Sequence, residues 1–279
     1  MIRPKKHLGQ HFLRDENIAQ QIVSYLNPKY PMVLEVGPGM GVLTKYILHN
    51  PAFDPWFMEV DREAVDYLNA TFPGISNRLI QGDFLKYDLA GFPPGQIPIT
   101  EIPVPASLQP KQQFTVIGNF PYNISSQILF TALANRDRIP EVVGMFQKEV
   151  AERIASPPGN KSYGIISVLL QAFYDIDYLF TVNETVFYPP PKVKSAVIRL
   201  RRNATEKLDC DEELFTRLVR TAFNQRRKTL RNSIRQMIPP ALPGAPAYSE
   251  WMTRQLDLRA ERLSVDDFVR LAAEIATFA

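Results

Sequence analysis

The first half of the chain alternates short apolar runs with stretches whose apolar residues recur at helical spacing. Such alternation is typical of βα units that build a mostly parallel sheet. The pattern predicts strands at 32–36, 56–60, 78–82, 114–118 and 142–146, and helices at 17–26, 43–50, 62–72 and 125–134. Two later apolar runs, 177–182 and 196–200, have no long helix between them and predict an antiparallel hairpin at one edge. We therefore expect an α/β fold with a seven-stranded sheet.

After residue 202 the pattern turns polar and then becomes helical throughout. It predicts helices at 212–224, 228–237, 251–256 and 265–276, with a proline-rich break at 239–246. We expect a first domain at 1–202 and a small all-helical C-terminal domain at 203–279. A second proline-rich stretch, 92–113, has no helical period and is predicted to be a surface insertion.

Composition narrows the class of protein without indicating a partner. Of the 279 residues, 45% are hydrophobic and 22% charged, which excludes a disordered or fibrous chain. No apolar run approaches the roughly 18 residues that cross a bilayer, so we expect a cytoplasmic protein with no membrane partner. The single cysteine excludes an internal disulfide, and the three histidines lack helical spacing, so no metal site is predicted.

A glycine-rich turn follows the first long strand directly. It reads Gly37-Pro38-Gly39-Met40-Gly41, and glycines at such a turn let the backbone bend sharply and approach a ligand. Glu59 and Asp83 end the next two predicted strands, where they are placed to bind ribose hydroxyls and an adenine amine. The G-x-G-x-G spacing differs from the dinucleotide pattern G-x-G-x-x-G, so it favours S-adenosylmethionine.

The fourth predicted strand ends in Asn119-Phe120-Pro121-Tyr122, our candidate catalytic tetrapeptide. An adenine N6 amine is a poor nucleophile because its lone pair is delocalised into the ring. Acceptance of both N6 hydrogens, by the Asn119 side-chain oxygen and the Phe120 carbonyl, would localise that pair toward a methyl donor. Pro121 is expected to fix the turn that aims the carbonyl.

A base must leave its stack to reach a methyl donor, so an aromatic clamp is expected beside the tetrapeptide. Tyr122 offers one ring face. Tyr188, which precedes three prolines, is a candidate for the second ring. For Tyr188, simple packing against the proline run is an equally good interpretation.

Six segments spread over almost the whole chain match motifs of one known family. They are LGQHFL (8–13), EVGPG (35–39), GNFPYNIS (118–125), QKEV (147–150), PPPKV (189–193) and NQRRKTLRNS (224–233). With them the chain closely resembles the ribosomal RNA adenine N6,N6-dimethyltransferases, in particular the bacterial 16S rRNA dimethyladenosine transferases.

The resemblance implies a class I, Rossmann-like methyltransferase fold with a helical C-terminal domain. It also implies dimethylation of two adjacent adenosines in the 3′-terminal hairpin of 16S rRNA, during small ribosomal subunit biogenesis. By position, the residues that would contact S-adenosylmethionine are His11, Leu13, Gly37, Gly39, Glu59, Asp83 and Asn119. The chain departs from the family twice: the family more often has Asn at position 11, and the insertion at 92–113 is longer.

Basic residues cluster in the C-terminal domain although the net charge is only +3. Seven of them, and no acidic residue, occur between positions 217 and 235. Such a surface predicts phosphate contacts with RNA. The residues selected for RNA binding are Arg226, Arg227, Lys228 and Arg231. Helical RNA hides its base edges, so we expect recognition by the shape of the RNA. The resemblance implies that the partner is 16S rRNA within the assembling small subunit, and we expect the enzyme to be a monomer.

Three other functions compete with this one. A large-subunit rRNA adenine methyltransferase of the macrolide-resistance type would share the glycine turn and the tetrapeptide, but the basic motif at 224–233 favours the small-subunit enzyme. A binding-only assembly factor would retain the fold without turnover. A nicotinamide oxidoreductase is disfavoured by the glycine spacing and by the lack of a second nucleotide-binding half.

Overall fold

The computed structural model describes residues 3–94, 112–238 and 248–278, and the chain divides into two compact units. The first unit is Met1–Ala151 with Asp177–Arg202, and the second is Glu152–Ile176 with Asn203–Ala279. The predicted boundary at 202–203 had assigned 152–176 to the first domain, whereas this segment clusters with the C-terminal residues. Most of the predicted insertion, residues 95–111, and the predicted break at 239–246 lie outside the described residues.

A seven-stranded sheet forms the centre of the first unit, in the order β4-β3-β2-β5-β6-β9-β7. Four neighbouring pairs, β2 with β3 and β5, β3 with β4, and β5 with β6, are parallel, and β9 runs antiparallel to β6. The mostly parallel seven-stranded sheet is therefore confirmed. The strands are β2 (Met32–Val36), β3 (Asp54–Glu59), β4 (Leu79–Gln81), β5 (Thr115–Asn119), β6 (Glu141–Gln147), β7 (Tyr174–Val182) and β9 (Ser195–Arg202).

Two very short strands form a separate antiparallel pair, which the apolar pattern did not predict. They are β1 (Phe12–Leu13) and β8 (Phe187–Tyr188), and Phe12 lies opposite Tyr188. Two residues are too few for a period to be visible in a sequence. The pair fixes the N-terminal segment against the loop that precedes β9.

The α-helices that begin in the first unit are α1 (Glu16–Ser24), α2 (Thr44–Leu48), α3 (Arg62–Thr71), α4 (Ser125–Ala134) and α5 (Lys148–Ala155). Acidic side chains cap the first residues of α1 and α3. Asp15 accepts a hydrogen bond from the Ile18 N–H, and Asp61 accepts one from the Glu63 N–H.

Because parallel strands end at one edge of a sheet, the loops after β2, β3, β4 and β5 meet at that edge.

The second unit is helical apart from the first residues of β7. Its helices are α6 (Ile165–Gln171), α7 (Glu212–Asn224), α8 (Leu230–Ser233), α9 (Glu250–Leu256) and α10 (Val265–Ala276). The helices predicted at 212–224 and 265–276 are confirmed. The prediction at 228–237 is wrong in length, because α8 begins after its N-cap Thr229 and ends at Ile234 after one turn. Helix α6 was missed because its apolar residues are continuous, without a polar face.

Candidate active site

A cavity opens at the carboxyl ends of β2, β3, β4 and β5, and its lining residues belong to the first unit. The predicted residues that line it are His11, Gly37, Gly39, Glu59, Asp83, Asn119, Phe120, Pro121 and Tyr122. The N-terminal segment 7–12 contributes one wall. The structure thus brings the predicted cofactor residues and the tetrapeptide to one place, with Leu13 and Tyr188 outside the lining.

The glycine turn has the backbone that the motif requires. Gly37 and Gly39 have φ values of 70° and 55°, in the left-handed region that favours glycine. A Cβ added at Gly37 would meet nothing within 4 Å, whereas one at Gly39 would lie 2.9 Å from the Phe12 ring. Gly37 therefore faces open space, and Gly39 packs against β1.

Glu59 is buried behind this turn and holds it through the backbone. One carboxylate oxygen accepts the Gly39 N–H at 3.0 Å, and the other accepts the Asp61 N–H at 2.9 Å. Burial raises the pKa of Glu59 above its ordinary value, and the backbone N–H groups partly oppose that rise because they favour the charged form. The carboxylate is thus fixed at the cavity wall with accepting capacity remaining for a ligand.

The N-terminal segment is anchored beside Glu59. The Lys5 ammonium lies 2.6 Å from one oxygen of Asp61, and the Gln10 amide donates to the other at 3.1 Å. The carboxylate of Asp61 is buried, whereas the Lys5 side chain is 28% exposed, so water still reaches the Lys5 side of the pair. Asp61 lies 56 residues from Lys5 along the chain, so local sequence spacing gives no signal of this contact.

Glu35 is a buried acidic residue behind the glycine turn. It interrupts an otherwise apolar strand β2, and its carboxyl accepts a hydrogen bond of 2.7 Å from the Thr44 hydroxyl. Burial raises the pKa of Glu35 to about 8, so the group is protonated at neutral pH. With Leu13, it lines a smaller cavity behind the glycine turn.

The side chain of Asn119 is oriented by the N-terminal segment. Its amide nitrogen donates a hydrogen bond of 2.8 Å to the His11 carbonyl. Among the described residues no donor occupies the Asn119 side-chain oxygen, which therefore remains available as an acceptor. This is the atom that the tetrapeptide hypothesis assigns to an N6 hydrogen.

Phe120 anchors the tetrapeptide in the core rather than contributing its ring to the cavity surface. The ring is 1% exposed and packs against Phe146 at 5.2 Å between centroids. A Cβ added at Gly118 would lie 2.7 Å from the same ring, so the glycine makes room for it. Packing of Phe120 therefore fixes the backbone whose carbonyl was predicted to act.

Tyr122 is half-buried, and both its ring and its hydroxyl have partners. The ring stacks on His11 with 5.5 Å between centroids and 27° between planes. The hydroxyl lies 2.5 Å from the hydroxyl of Ser195. Burial raises the pKa of Tyr122, so the phenol is neutral at physiological pH. The Nδ1 atom of His11 in turn lies 2.7 Å from the carbonyl oxygen of Pro189.

Tyr188 and Leu13 occupy neighbouring places on the short β1–β8 pair. Tyr188 is 44% exposed, and the Arg14 guanidinium lies 4.2 Å above its ring. Leu13 is buried in the core. Stacking of Tyr188 on a base and contact of Leu13 with a cofactor stay predictions.

The basic residues selected for RNA binding lie in the second unit and differ in their contacts. Arg226 donates to the Lys161 carbonyl and lies 3.9 Å from Glu261, and Arg231 pairs with Asp257 at 2.9 Å. Arg227 and Lys228 are exposed, and neither has an ion pair within the part of the chain that is described. Of the four residues selected for RNA binding, Arg227 and Lys228 therefore remain available to phosphate.

The described residues contain neither a candidate membrane span nor a candidate metal cluster. Within 3–94, 112–238 and 248–278, no helix combines the length and hydropathy needed to cross a bilayer. No group of three or more His, Cys, Asp or Glu residues is placed to hold a metal ion in those ranges.

Comparison with known proteins gives consistent matches over the whole chain. Residues 1–277 match the family model described as ribosomal RNA adenine dimethylase. A ribosomal RNA small subunit methyltransferase A from Cytophaga hutchinsonii is 52% identical over 276 residues, which covers 97% of this chain and 96% of that protein. The protein of the same name from Flavobacterium johnsoniae is 49% identical, covering 98% of this chain and 96% of its own length.

Two solved structures share the fold. A dimethyladenosine transferase from Plasmodium falciparum superposes with a TM-score of 0.71 at 23% identity, covering 96% of this chain and 98% of that one. The 23S rRNA methyltransferase ErmE gives a TM-score of 0.64 at 22% identity, covering 94% of this chain and 99% of its own. The fold is therefore that of a class I methyltransferase.

Proposed function

The chain belongs to the ribosomal RNA adenine dimethylase family, and from that membership we propose that it dimethylates N6 of two adjacent adenosines in the 3′-terminal hairpin of 16S rRNA. S-adenosylmethionine is the methyl donor, as in the family. The observation that carries the proposal is the meeting, in one cavity, of the glycine turn, Glu59 and the Asn119 loop. The names of the relatives from Cytophaga hutchinsonii and Flavobacterium johnsoniae support the small subunit as the source of the rRNA.

The residues that line the cavity suit the donor. Glu59 is proposed to accept hydrogen bonds from ribose hydroxyls, because its buried carboxylate is held at the wall by two backbone N–H groups. Asp83 is proposed to bind the adenine amine. Gly37, Gly39, His11 and Asn119 are proposed to surround the remainder of the molecule, and Leu13, which lies outside the lining, is proposed to contact it from behind the glycine turn. When bound, S-adenosylmethionine supplies an electrophilic methyl group on its sulfonium.

The tetrapeptide is proposed to prepare the target amine. Asn119 presents its side-chain oxygen because its amide nitrogen is already used by the His11 carbonyl. The Phe120 carbonyl would accept the second N6 hydrogen, and the buried Phe120 ring keeps that carbonyl in place. Two acceptors fixed before the base arrives stabilise the geometry in which the N6 lone pair points at the methyl group. Tyr122 and Tyr188 are proposed to stack on the extruded base.

RNA binding is proposed for the basic segment of the second unit, with Arg227 and Lys228 contributing most. Replacement of both by alanine is expected to weaken binding to small subunits about 10-fold and to reduce the salt slope of binding by about two. Filter binding at several salt concentrations measures both quantities. Arg270→Ala is the matched control, because Arg270 already pairs with Glu274 at 3.2 Å and covers Trp251. An unchanged slope in the double variant contradicts the assignment.

The binding partner of the enzyme and its cellular compartment are also proposed. The enzyme is proposed to act as a monomer in the cytoplasm, on 16S rRNA within the assembling small subunit. Shape rather than base reading would select the site, because the base edges of helical RNA are inaccessible.

Mass spectrometry of rRNA tests the choice of subunit. A strain without its own small-subunit dimethyltransferase, complemented with this chain, is expected to regain N6,N6-dimethyladenosine at the adjacent pair in 16S rRNA. Dimethylated adenine in 23S rRNA with an unmethylated 16S pair would reverse the proposal in favour of the large-subunit enzyme. No dimethyladenosine in either rRNA, with normal subunit assembly, would favour a binding-only assembly factor.

A further inference from the structure

Tyr122 is held by a residue that no motif of the catalytic loop includes. Its hydroxyl lies 2.5 Å from the Oγ of Ser195, the first residue of β9 and 73 positions further along the chain. Ser195 is 0% exposed and lies opposite Gln147, at the end of β6. The contact therefore joins the loop after β5 to the antiparallel strand of the sheet.

Burial of the Ser195 hydroxyl costs free energy, and its hydrogen bond to Tyr122 offsets that cost. A serine hydroxyl removed from water without a hydrogen-bond partner destabilises the folded state. Within the described residues, the Ser195 hydroxyl forms a hydrogen bond with the Tyr122 hydroxyl. The pair is thus mutually dependent: each hydroxyl satisfies the other in a setting with little access to water.

The hydrogen bond to Ser195 restrains a motion of the Tyr122 ring that stacking on His11 permits. The His11 ring stacks on one face of Tyr122 and restrains tilting of its plane. Stacking is tolerant of sliding within the plane, whereas a hydrogen bond at the phenol end fixes the position of the ring tip. His11 and Ser195 together hold the ring from its face and from its tip.

We infer that Ser195 is a positioning residue for methyl transfer, which fixes the Tyr122 ring as a preformed platform for the target adenine. This inference rests on the proposed function of Tyr122. An aromatic ring that is already held in place loses no further conformational entropy when the base stacks on it. The stacked base is then held at a fixed position relative to Asn119. Ser195 acts through Tyr122 and does not itself touch the base.

Four variants test the inference by methyl transfer to small subunits from an unmethylated strain. Ser195→Ala and Tyr122→Phe each delete the same hydrogen bond, from opposite sides. Each is expected to lower the rate at saturating substrates about 10-fold, with KM for subunits and Kd for S-adenosylmethionine nearly unchanged. The double variant is expected to be no slower than either single variant, because the two residues share one interaction. Ser195→Thr, which retains the hydroxyl, is expected to recover most of the rate.

Controls separate positioning from a merely structural role. Ser167 is also 0% exposed, and its hydroxyl donates to the Arg153 carbonyl in the second unit. Ser167→Ala is expected to lower the melting temperature, as Ser195→Ala does, but to leave the methyl-transfer rate unchanged. If Ser195→Ala does not fold, Tyr122→Phe decides alone, since it removes the same bond while keeping the ring.

The results with these variants separate the positioning role of Ser195 from the stacking role proposed for Tyr122. Wild-type rates in both Ser195→Ala and Tyr122→Phe, with a slow Tyr122→Ala, would overturn the role of Ser195 and leave Tyr122 as the platform. A wild-type rate in Tyr122→Ala would overturn the role of Tyr122 itself. Additive losses in the double variant would also contradict the inference, because they require two independent effects.

Discussion

Asn119→Ala is expected to lower kcat for methyl transfer by a factor of about 100 to 1,000, the range observed when a preorganised hydrogen-bonding group is removed from an active site. The side-chain oxygen of Asn119 is left available because the His11 carbonyl already binds the amide nitrogen. Alanine removes the acceptor for one N6 hydrogen, so the amine lone pair stays delocalised. Binding of small subunits, which we assign to the second unit, is expected to stay within about three-fold.

Asn123→Ala is the matched control for this variant. Asn123 lines the same cavity with the same amide group, but its side chain lies against Gly9 rather than at the end of β5. It is expected to retain kcat within about three-fold. Transfer of labelled methyl groups at saturating substrates measures both variants. A wild-type kcat in Asn119→Ala would show that N6 is activated by other groups.

Glu59→Ala is expected to weaken binding of S-adenosylmethionine by about 100-fold or more, because two hydrogen bonds to a charged acceptor contribute about 1.5–3 kcal/mol each. Glu59→Ala is also expected to weaken binding of S-adenosylmethionine through the glycine turn. The Gly39 N–H, which donates to Glu59 at 3.0 Å, loses its acceptor, so the glycine turn is less well fixed. Isothermal titration calorimetry with S-adenosylmethionine measures the dissociation constant directly.

Glu63→Gln supplies the comparison for Glu59. Glu63 is a nearby carboxylate whose side chain is 63% exposed and whose partner is Lys5 at 3.2 Å. Its replacement is expected to leave the dissociation constant within about two-fold, since screening by water makes an exposed ion pair weak. An equal loss in both variants would indicate a general effect of negative charge, and unchanged binding in Glu59→Ala would remove Glu59 from the cofactor site.

The strands of the sheet were predictable because each is a short apolar run bounded by turn residues. Strand β2 is entirely buried and was predicted with its observed bounds, 32–36. Strand β7 begins at Tyr174, earlier than the predicted 177, because its first residues carry no clear alternation. Helix α8 was predicted too long, since helical spacing of apolar residues continues past the point where the backbone leaves the helix at Ile234.

The candidate site was predictable where a motif follows a strand. The glycine turn, Glu59, Asp83 and Asn119 each come at or just after a strand end, and parallel strands bring their ends together. Contacts across long sequence separations had no such signal. Lys5 with Asp61, and Tyr122 with Ser195, depend on tertiary packing and are invisible to local spacing. Burial also decided the role of Phe120, whose ring anchors the loop from within the core.

Arg226 and Arg231 illustrate a further limit of the sequence. A run of basic residues predicts a positive surface, but it does not say which cations are already paired. Arg231 pairs with Asp257, which lies 26 positions away, whereas Arg227 and Lys228 remain exposed. The run therefore indicated the surface, and only the structure distinguished its members.

Transfer of tritiated methyl groups from S-adenosylmethionine to purified small subunits of an unmethylated strain tests the central claim most directly. We expect the wild-type chain to incorporate label into 16S rRNA and nuclease digestion to release it as N6,N6-dimethyladenosine. Asn119→Ala is expected to incorporate almost none. Label recovered on another base or another atom, or equal incorporation by Asn119→Ala, would contradict the central claim.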